Sequence, residues 1–312
     1  MKEIGGYFGM EELSGESYYP ALTAVNCGRN AVLYLMKLRG YRKLYLPYYL
    51  CDSVRKMCER EGFGCEFYHV DGQFRPLCTA RPAADEAVYV VNYFGQLDCE
   101  EELKARCGNL IFDNVQAFFR RPLPGIDTVY SCRKFFGVPD GGYVSAEGEP
   151  LPLERDASFG RMTHILGRAE GRPASDYYAD FCANDARFEQ LPLRAMSPLT
   201  ENLLRAVDYE KAKARREENF ARLAELLGDR NRLSVRLPEG PYAYPFYCEN
   251  GPAARKALAA GGIYIPTLWP EVPEDIPERD YVNNILPLPC DQRYGTEEMK
   301  RIAEELAECS RN

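Results

Sequence analysis

The sequence lacks several features that mark other classes of protein. It has only two histidines, and none of its 12 cysteines stands in a Cys-x-x-Cys pair, which argues against a zinc cluster. No stretch approaches the roughly 20 consecutive apolar residues that a membrane-spanning helix needs. Acidic residues outnumber basic ones by 47 to 39, and the resulting net charge of -8 would repel nucleic acid and anionic membranes. We therefore expect small-molecule partners, with no nucleic acid, membrane or metal bound.

The beginning of the chain differs from a secretory signal peptide. Residues 1–13 include Glu3, Glu11 and Glu12 and have no long apolar core. We therefore expect a cytoplasmic protein, in which the cysteines stay as reduced thiols instead of forming a disulfide framework. A chain of 312 residues, 46% of them hydrophobic, is long enough to bury a large core without such cross-links.

Short β-rich runs alternate with helical patterns from about residue 20 to residue 145. This alternation is typical of βαβ units and a parallel sheet. The predicted strands are 43–47, 65–70, 87–93, 109–113, 127–131 and 142–145, and the predicted helices between them are 29–38, 51–61 and 100–106. The fold class is therefore predicted to be α/β, with a mostly parallel sheet that is covered by helices.

The second half of the chain has a different pattern. Residues 150–197 are predicted to be irregular apart from a helix near 176–188. After Pro198 an amphipathic pattern runs to Leu227 and stops at Gly228, which predicts one long helix connecting two domains. The remainder predicts a strand, a helix over 252–260, a strand and a terminal helix over 296–309. We expect an N-terminal segment (1–20) on the small lobe or a dimer interface, a large domain (21–197), and a connecting helix with a small C-terminal α/β lobe (198–312).

Of two neighbouring predicted strands, one ends in a carboxylate and the other ends close to an amine. The strand 109–113 ends at Asp113, and the strand 127–131 is followed three residues later by Lys134. Open α/β sheets bind ligands at the carboxyl ends of their strands. An ionised aspartate keeps the ring nitrogen of pyridoxal 5'-phosphate (PLP) protonated, and a lysine can attach that cofactor as a Schiff base and then carry protons. The pair therefore suits PLP chemistry.

The phosphate of such a cofactor needs its own group of donors. In residues 26–32 a glycine stands at the start of a predicted helix, where free backbone N–H groups and the helix dipole bind anions. The candidates are Gly28, Arg29 and Asn30, together with the hydroxyl of Ser131. A turn glycine followed by an exposed helix residue would give the same pattern, so this loop alone does not identify a phosphate site.

Five ordered segments resemble the cofactor motifs of the PLP-dependent sugar aminotransferases of the DegT/StrS type. They are residues 27–31 (CGRNA), 64–71 (GCEFYHVD), 92–96 (NYFGQ), 112–118 (FDNVQAF) and 130–142 (YSCRKFFGVPDGG). The resemblance implies the aspartate-aminotransferase fold, fold type I, in a homodimer. It also implies transfer of an amino group from glutamate to a nucleotide-linked keto sugar, within sugar or surface-polysaccharide metabolism.

The resemblance also implies roles for individual residues. Lys134 corresponds to the Schiff-base lysine, Asp113 to the partner of the pyridine nitrogen, Gln116 to a neighbour of the phenolic oxygen, and Ser131 to a phosphate ligand. The aromatic residue that stacks on the ring falls within 46–50, with Tyr49 as the first candidate and Tyr48 as the second. The Ser-x-x-Lys spacing is shorter than is usual in the family and resembles aspartate aminotransferases instead.

Further candidate contacts lie outside these motifs. Segments 263–269 and 286–294 are predicted to be strands that enter proline-rich turns, where Trp269 and Arg293 are candidate substrate contacts. A lone tryptophan is more often part of the core, and such an arginine is more often structural. Arg133 either contacts an anion or points outward into a salt bridge, since neighbours in an extended chain point in opposite directions. The tyrosine-containing residues 5–9 either line the site or pack in a dimer interface.

Other functions on the same scaffold fit the residues less well. In the family, sugar dehydratases carry a histidine in place of the residue that corresponds to Lys134, and a cysteine desulfurase would need a cysteine on a mobile loop over the site. A non-catalytic regulatory or binding protein would have no need of the intact Lys, Asp, Gln and Ser set. A nicotinamide-dependent oxidoreductase would carry Gly-x-Gly-x-x-Gly after its first strand, which is missing. The sequence therefore predicts a PLP-dependent transaminase.

Overall fold

A seven-stranded sheet forms the centre of the protein, for which a computed structural model describes residues 4–309. The strands are β1 (Thr23–Val25), β2 (Lys43–Pro47), β3 (Gly64–Tyr68), β4 (Glu86–Val91), β5 (Leu110–Asp113), β6 (Asp127–Ser131) and β7 (Gly142–Ser145). Their spatial order is β1-β7-β6-β5-β4-β2-β3. Neighbours among β2 to β6 pair in parallel, whereas β7 is antiparallel to both β6 and β1. The predicted fold class is confirmed.

The helices of the first half connect the parallel strands. They are α1 (Gly28–Arg39), α2 (Asp52–Glu61) and α3 (Glu100–Cys107). α1 and α2 end at Gly40 and Gly62, whose φ angles of 71° and 76° lie in the left-handed region. Glycine adopts this conformation without a steric penalty, so it ends a helix efficiently. The two glycines explain why these helix ends lie within one residue of their predicted positions.

Burial of the central strands on both faces follows from their composition. All five residues from Ala87 to Val91 in β4 are at most 1% exposed, and β5 and β6 are buried along their whole length. Parallel strands that are covered by helices on both faces carry continuous apolar runs instead of alternating ones. Asp113 and Ser131, the polar residues at the ends of β5 and β6, are exceptions in these apolar strands, and packing alone does not explain their burial.

The predicted single helix from Pro198 to Leu227 is two helices, α6 (Pro198–Arg205) and α7 (Tyr209–Leu227). α7 begins after Asp208, whose carboxylate accepts the backbone N–H of Lys211 at 3.0 Å. The N–H groups in the first turn of a helix have no partner within the helix. An aspartate just before the helix accepts one of them, and so it favours a helix start at this point. The apolar spacing continues across the break, which is why the periodicity alone did not reveal it.

The C-terminal part contains a second, smaller core. After α4 (Thr163–Ala169), α5 (Tyr178–Arg187), α6 and α7, the chain forms β8 (Tyr244–Tyr247), α8 (Gly251–Ala260), α9 (Arg279–Asn284), β9 (Ile285–Leu288) and α10 (Thr296–Cys309). β8 and β9 pair in antiparallel fashion. Apolar residues of α7, α8 and α10, among them Phe220, Leu258 and Met299, pack with these two strands. Within residues 4–309, no helix is both long and apolar enough to cross a membrane.

The strand predicted over 263–269 is not formed. Pro266 has no N–H to give to a ladder, and Trp269 has a φ of 57°, in the left-handed region. Both features interrupt an extended ladder, although the apolar side chains of Ile263 and Trp269 are still buried. The segment predicted over 286–294 does begin within β9 and then leaves the sheet at Pro289.

Candidate functional site

The carboxyl ends of β5 and β6 meet the beginning of α1. A Cβ atom placed on Gly28 would lie 3.4 Å from Val115 Cγ1 and 3.6 Å from Ser131 Cβ. The first turn of α1, the loop after β5 and the end of β6 therefore line one space. The first N–H groups of a helix have no partner within the helix and lie at the positive end of its dipole, so this space suits an anion. Ser131, 8% exposed, adds a hydroxyl.

Arg29 and Asn30, the two other candidates in this turn, differ in what they can offer. The half-buried side chain of Arg29 forms no ion pair or hydrogen bond with the residues that the structure describes. The buried amide of Asn30 donates to Asn26 Oδ1 at 2.8 Å and to the carbonyl oxygen of Pro192 at 3.0 Å. Asn30 thus ties the turn to a distant loop with its side chain and has only its backbone N–H left for an anion.

Asp113 is a buried carboxylate with one donor on each oxygen. Oδ1 accepts the backbone N–H of Val115 at 2.7 Å, and Oδ2 accepts the hydroxyl of Tyr89. Burial raises the pKa of Asp113 from 3.8 to about 6, against the opposing effects of the Tyr89 hydroxyl, the Lys134 charge and the Val115 N–H. At pH 7 the group is therefore mostly ionised, and each oxygen has a lone pair left for a further donor.

Lys134 follows β6 in a tight turn, in which the N–H groups of Phe135 and Phe136 both donate to the carbonyl oxygen of Cys132 at 3.0 Å. Its side chain is exposed, and its ammonium group lies 5.8 Å from the ring centroid of Tyr242. Its positive charge lowers the pKa of Asp113, so the two groups act on each other across the ends of β6 and β5. No carboxylate among residues 4–309 forms an ion pair with Lys134, which leaves its amine available.

The backbone beside Lys134 is held by residues from the second half of the chain. The carbonyl oxygen of Phe135 accepts Gln292 Nε2 at 2.8 Å and Arg216 Nη2 at 3.2 Å. Arg216, 1% exposed, also donates to Gln292 Oε1 at 2.6 Å and to the carbonyl oxygen of Pro241 at 2.8 Å. α7 and the turn after β9 therefore fix the loop from which Lys134 extends.

Gln116 has a buried amide with one unused end. Its Oε1 accepts the backbone N–H of Phe94 at 2.9 Å, whereas its Nε2 has no partner among the described residues. A buried amide N–H₂ without an acceptor costs about 1–3 kcal/mol, and a ligand oxygen that accepts from Gln116 Nε2 would remove this cost. An amide donor for a phenolic oxygen, a helix start for a phosphate, a carboxylate for a ring nitrogen and an amine for an aldehyde together match the groups of PLP.

Tyr49 and Tyr48 lie in different surroundings. Tyr49 is fully buried, with ring centroids at 5.3 Å from Tyr93 and 4.5 Å from Trp269, and its hydroxyl lacks a partner within the described part of the chain. Tyr48 is half-buried and lies 4.8 Å from the ring of His69. Trp269, 8% exposed, therefore contacts the first stacking candidate and belongs to an aromatic cluster at the carboxyl ends of β2 and β4.

Arg133 and Arg293 are both paired with carboxylates of the protein. Arg133 forms an ion pair with Asp185 at 3.0 Å, which is the outward orientation of its two alternatives. Arg293 donates to Asp291 through Nε at 2.7 Å and Nη2 at 2.9 Å. Both guanidinium groups are therefore less available to a ligand than that of Arg29, which has no such partner among the described residues.

The N-terminal segment contacts the large sheet and α6. Its residues 1–3 lie outside the described part. Tyr19 donates its hydroxyl to the carbonyl oxygen of Phe118 at 2.6 Å, and Leu13 donates its N–H to Asn202 at 2.8 Å. Tyr7 and its neighbour Phe8 are almost completely exposed. The glycine- and tyrosine-containing residues 5–9 therefore contact no part of the site within this one chain.

The sequence motifs did not mark Tyr89, Arg216 or Gln292. Tyr89 lies inside an apolar strand, and Arg216 lies among other charged residues of an amphipathic helix. One signal existed for Tyr89: it stands two residues before Val91, which pairs with Asp113 across β4 and β5. Side chains two residues apart in a strand share a face, so the strand pairing, once known, places Tyr89 beside the carboxylate.

The fold is shared with solved sugar aminotransferases. The chain is similar to a DegT DnrJ EryC1 StrS aminotransferase from Brucella abortus (15% identity, 92% of this chain and 85% of that chain covered, TM-score 0.63). It is also similar to the sugar aminotransferase CalS13 from Micromonospora echinospora (16%, 93% and 87%, 0.63) and to S. venezuelae DesV, solved in complex with a ketimine intermediate (16%, 93% and 85%, 0.64). No family model and no curated protein matches the chain. The chain has the fold of the DegT/StrS sugar aminotransferases, fold type I.

Proposed function

We propose that the protein is a PLP-dependent aminotransferase. The observation that carries the proposal is the pair formed by Lys134 and Asp113, an amine without an ion-pair partner in the described chain and a buried carboxylate, at the ends of adjacent strands. The start of α1, which we propose as the phosphate site, lies against the loop after β5 and the end of β6. Such a set can bind three parts of one pyridine cofactor: the carboxylate binds the ring nitrogen, the amine binds the aldehyde, and the helix start binds the phosphate.

Each group in the site has a role in holding PLP. Asp113 would bind the ring nitrogen, and the first turn of α1 would bind the phosphate together with Arg29 and Ser131. The unpartnered Nε2 of Gln116 would donate to the phenolic oxygen, and Lys134 would attach the cofactor as a Schiff base. Bound PLP supplies an electron sink that stabilises negative charge next to the substrate amine.

The chain contributes acid–base chemistry and orientation. Asp113, mostly ionised at pH 7 because its pKa is about 6, would favour a proton on the ring nitrogen of the bound cofactor. The amine of Lys134 would hold and move the proton that the reaction transfers. Arg216 and Gln292 hold the carbonyl oxygen of Phe135, so they keep the lysine backbone in place while its side chain moves.

We further propose glutamate as the amino donor and a nucleotide-linked keto sugar as the acceptor. The sugar aminotransferases with the same fold support this choice of substrate class. A homodimer in the cytoplasm is part of the same proposal. The almost fully exposed Tyr7 and Phe8 near the N-terminus support it, because a second copy of the chain would cover apolar side chains that one copy leaves in water.

The proposal is tested with the absorbance spectrum of the purified protein and PLP. Bound cofactor is expected to give a band near ~420 nm that glutamate converts to shorter wavelength. Lys134→Ala should abolish the band, whereas Lys256→Ala, which removes an exposed lysine of α8, should preserve it. A Lys134→Ala protein with an unchanged spectrum would refute the proposal, and a normal band that glutamate leaves unchanged would refute the choice of donor.

A further inference from the structure

Tyr89 contacts the carboxylate of Asp113 from the neighbouring strand. Its hydroxyl donates to Asp113 Oδ2, and both side chains are at most 2% exposed. Because Val91 pairs with Asp113 in the parallel ladder of β4 and β5, Tyr89 lies on the same face one pleat earlier. The phenol therefore reaches along the sheet to the carboxylate, without a turn or loop in between.

Tyr89 is the single side chain among residues 4–309 that donates a hydrogen bond to Asp113. The other donor, on Oδ1, is the backbone N–H of Val115. The backbone of Tyr89 is fixed in turn, since its carbonyl oxygen accepts the hydroxyl of Tyr68 at 2.8 Å. One oxygen of Asp113 is thus held by a side chain of the central sheet, and the other by the backbone of the loop after β5.

We infer that Tyr89 is a positioning residue that keeps Asp113 ionised and oriented toward the ring nitrogen of the cofactor, an inference that rests on the proposed function. A carboxylate surrounded by apolar strands tends to take up a proton, and a hydroxyl that donates to it opposes this by stabilising the anion. Each oxygen still has a lone pair for a cofactor N–H after accepting one bond from the protein. Without the phenol, Asp113 would be protonated at a higher pH, and its carboxylate would be oriented by the Val115 N–H on Oδ1 alone.

The test measures the protonation of Asp113 in the cofactor-free, full-length protein. Urea unfolding is measured from about pH 4 to about pH 9 for the wild type and for Asp113→Asn, at one protein concentration. The pKa of Asp113 is higher in the folded protein, about 6, than its ordinary value of 3.8. The wild type therefore loses stability relative to Asp113→Asn as the pH rises, and the loss levels off near the folded pKa of about 6.

The same comparison, with and without Asp113→Asn, is made in a Tyr89→Phe background. There the pH at which the loss of stability levels off should be higher. We expect a shift of about one pH unit or more, a tenfold higher proton affinity, because a hydrogen bond to a charged acceptor is lost. Tyr244→Phe is the matched control: it removes the hydroxyl of a fully buried tyrosine in the small C-terminal core, which accepts a hydrogen bond from Asn231 Nδ2 at 3.3 Å. An unchanged pH of levelling-off in Tyr89→Phe, or an equal shift in Tyr244→Phe, overturns the inference.

Failure of Tyr89→Phe to fold also gives an answer. Folding that is recovered at low pH, or by adding Asp113→Asn, supports the inference, because both changes remove the buried charge that the phenol stabilises. A variant that stays unfolded under both conditions overturns it, because the hydroxyl would then be needed by the fold independently of Asp113.

PLP affinity, followed by absorbance at pH 6, separates this inference from the proposed function. At this pH a rise of the Asp113 pKa from about 6 to about 7 lowers its ionised fraction about fivefold, so Tyr89→Phe should bind PLP about fivefold or more weakly than the wild type, and Tyr244→Phe should bind it normally. Equal affinities of Tyr89→Phe and the wild type would overturn the positioning role alone. A wild-type protein that binds no PLP would refute the proposed function, and the positioning role with it.

Discussion

Replacement of Gly28 by alanine separates the proposed phosphate site from the stability of the fold. The added Cβ would lie 3.4 Å from Val115 Cγ1 and 3.6 Å from Ser131 Cβ, both ordinary van der Waals distances. Gly28 is the first residue of α1 and has no positive φ, so alanine can adopt its conformation. Since alanine is about 1 kcal/mol better than glycine in a helix, we expect the free energy of unfolding to change by no more than about 1 kcal/mol.

The methyl group would instead occupy the space in which the phosphate is proposed to lie. A phosphate displaced from its donors loses charge-assisted hydrogen bonds worth about 1.5–3 kcal/mol each. Loss of one such bond predicts a fall of about 10- to 100-fold in PLP affinity, equal to about 1.4–2.8 kcal/mol. Titration with pyridoxal, which lacks the phosphate, should give nearly the same affinity for Gly28→Ala and the wild type.

Gly160→Ala is the matched control, because a Cβ at that position meets nothing within 4 Å. It should leave both the stability and the PLP affinity unchanged. Wild-type PLP affinity in a correctly folded Gly28→Ala protein would refute the phosphate assignment. Equal losses of PLP and pyridoxal affinity would refute it too, because the methyl group would then be disturbing the ring site.

Three further changes have defined outcomes. Relative to Asp113→Asn, the wild-type apoprotein should lose about 2.4 kcal/mol of unfolding free energy between pH 4 and pH 8 in urea titrations, because the pKa of Asp113 rises from 3.8 to about 6 on folding; a flat difference would contradict its burial. Arg216→Met should destabilise the protein by about 3 kcal/mol in urea unfolding, since the buried guanidinium bonds three acceptors. The half-buried Arg215, which forms an ion pair with Glu218, is the control, and Arg215→Met should cost less than about 1 kcal/mol; equal losses in the two variants would show that Arg216 does not anchor the loop. Arg133→Ala should leave PLP affinity unchanged, because Arg133 pairs with Asp185, and a large loss of affinity would show that it contacts the phosphate.

The elements with continuous apolar runs were predictable from the sequence. β2, β6 and β7 have the predicted bounds, and so does the amphipathic helix α10, which begins directly after Gly295. Asp113 is the last residue of β5, which begins one residue later than predicted, and Lys134 stands three residues after the end of β6. Where one local signal dominates, the sequence determines both the element and the residue that it presents.

Features that depend on competing or non-local interactions were not predictable. The break before Asp208 depends on a cap that outweighs an unbroken apolar pattern, and Trp269 leaves the predicted strand with a positive φ. The side chain of Asn30 donates a hydrogen bond to a carbonyl oxygen 162 residues away in sequence. Tyr89 lies beside Asp113 because β4 pairs with β5. In each case the partner lies far along the chain or in the backbone, where a motif does not record it.

Covalent mapping of bound PLP tests the central claim most directly. The protein is mixed with PLP, reduced with borohydride and digested, and the modified peptide is identified by mass spectrometry. We predict a single modified lysine, Lys134, and much less modification at that residue when Asp113 is replaced by Asn. Modification at another lysine, or equal modification of several lysines, would show that the amine and the carboxylate do not hold one cofactor.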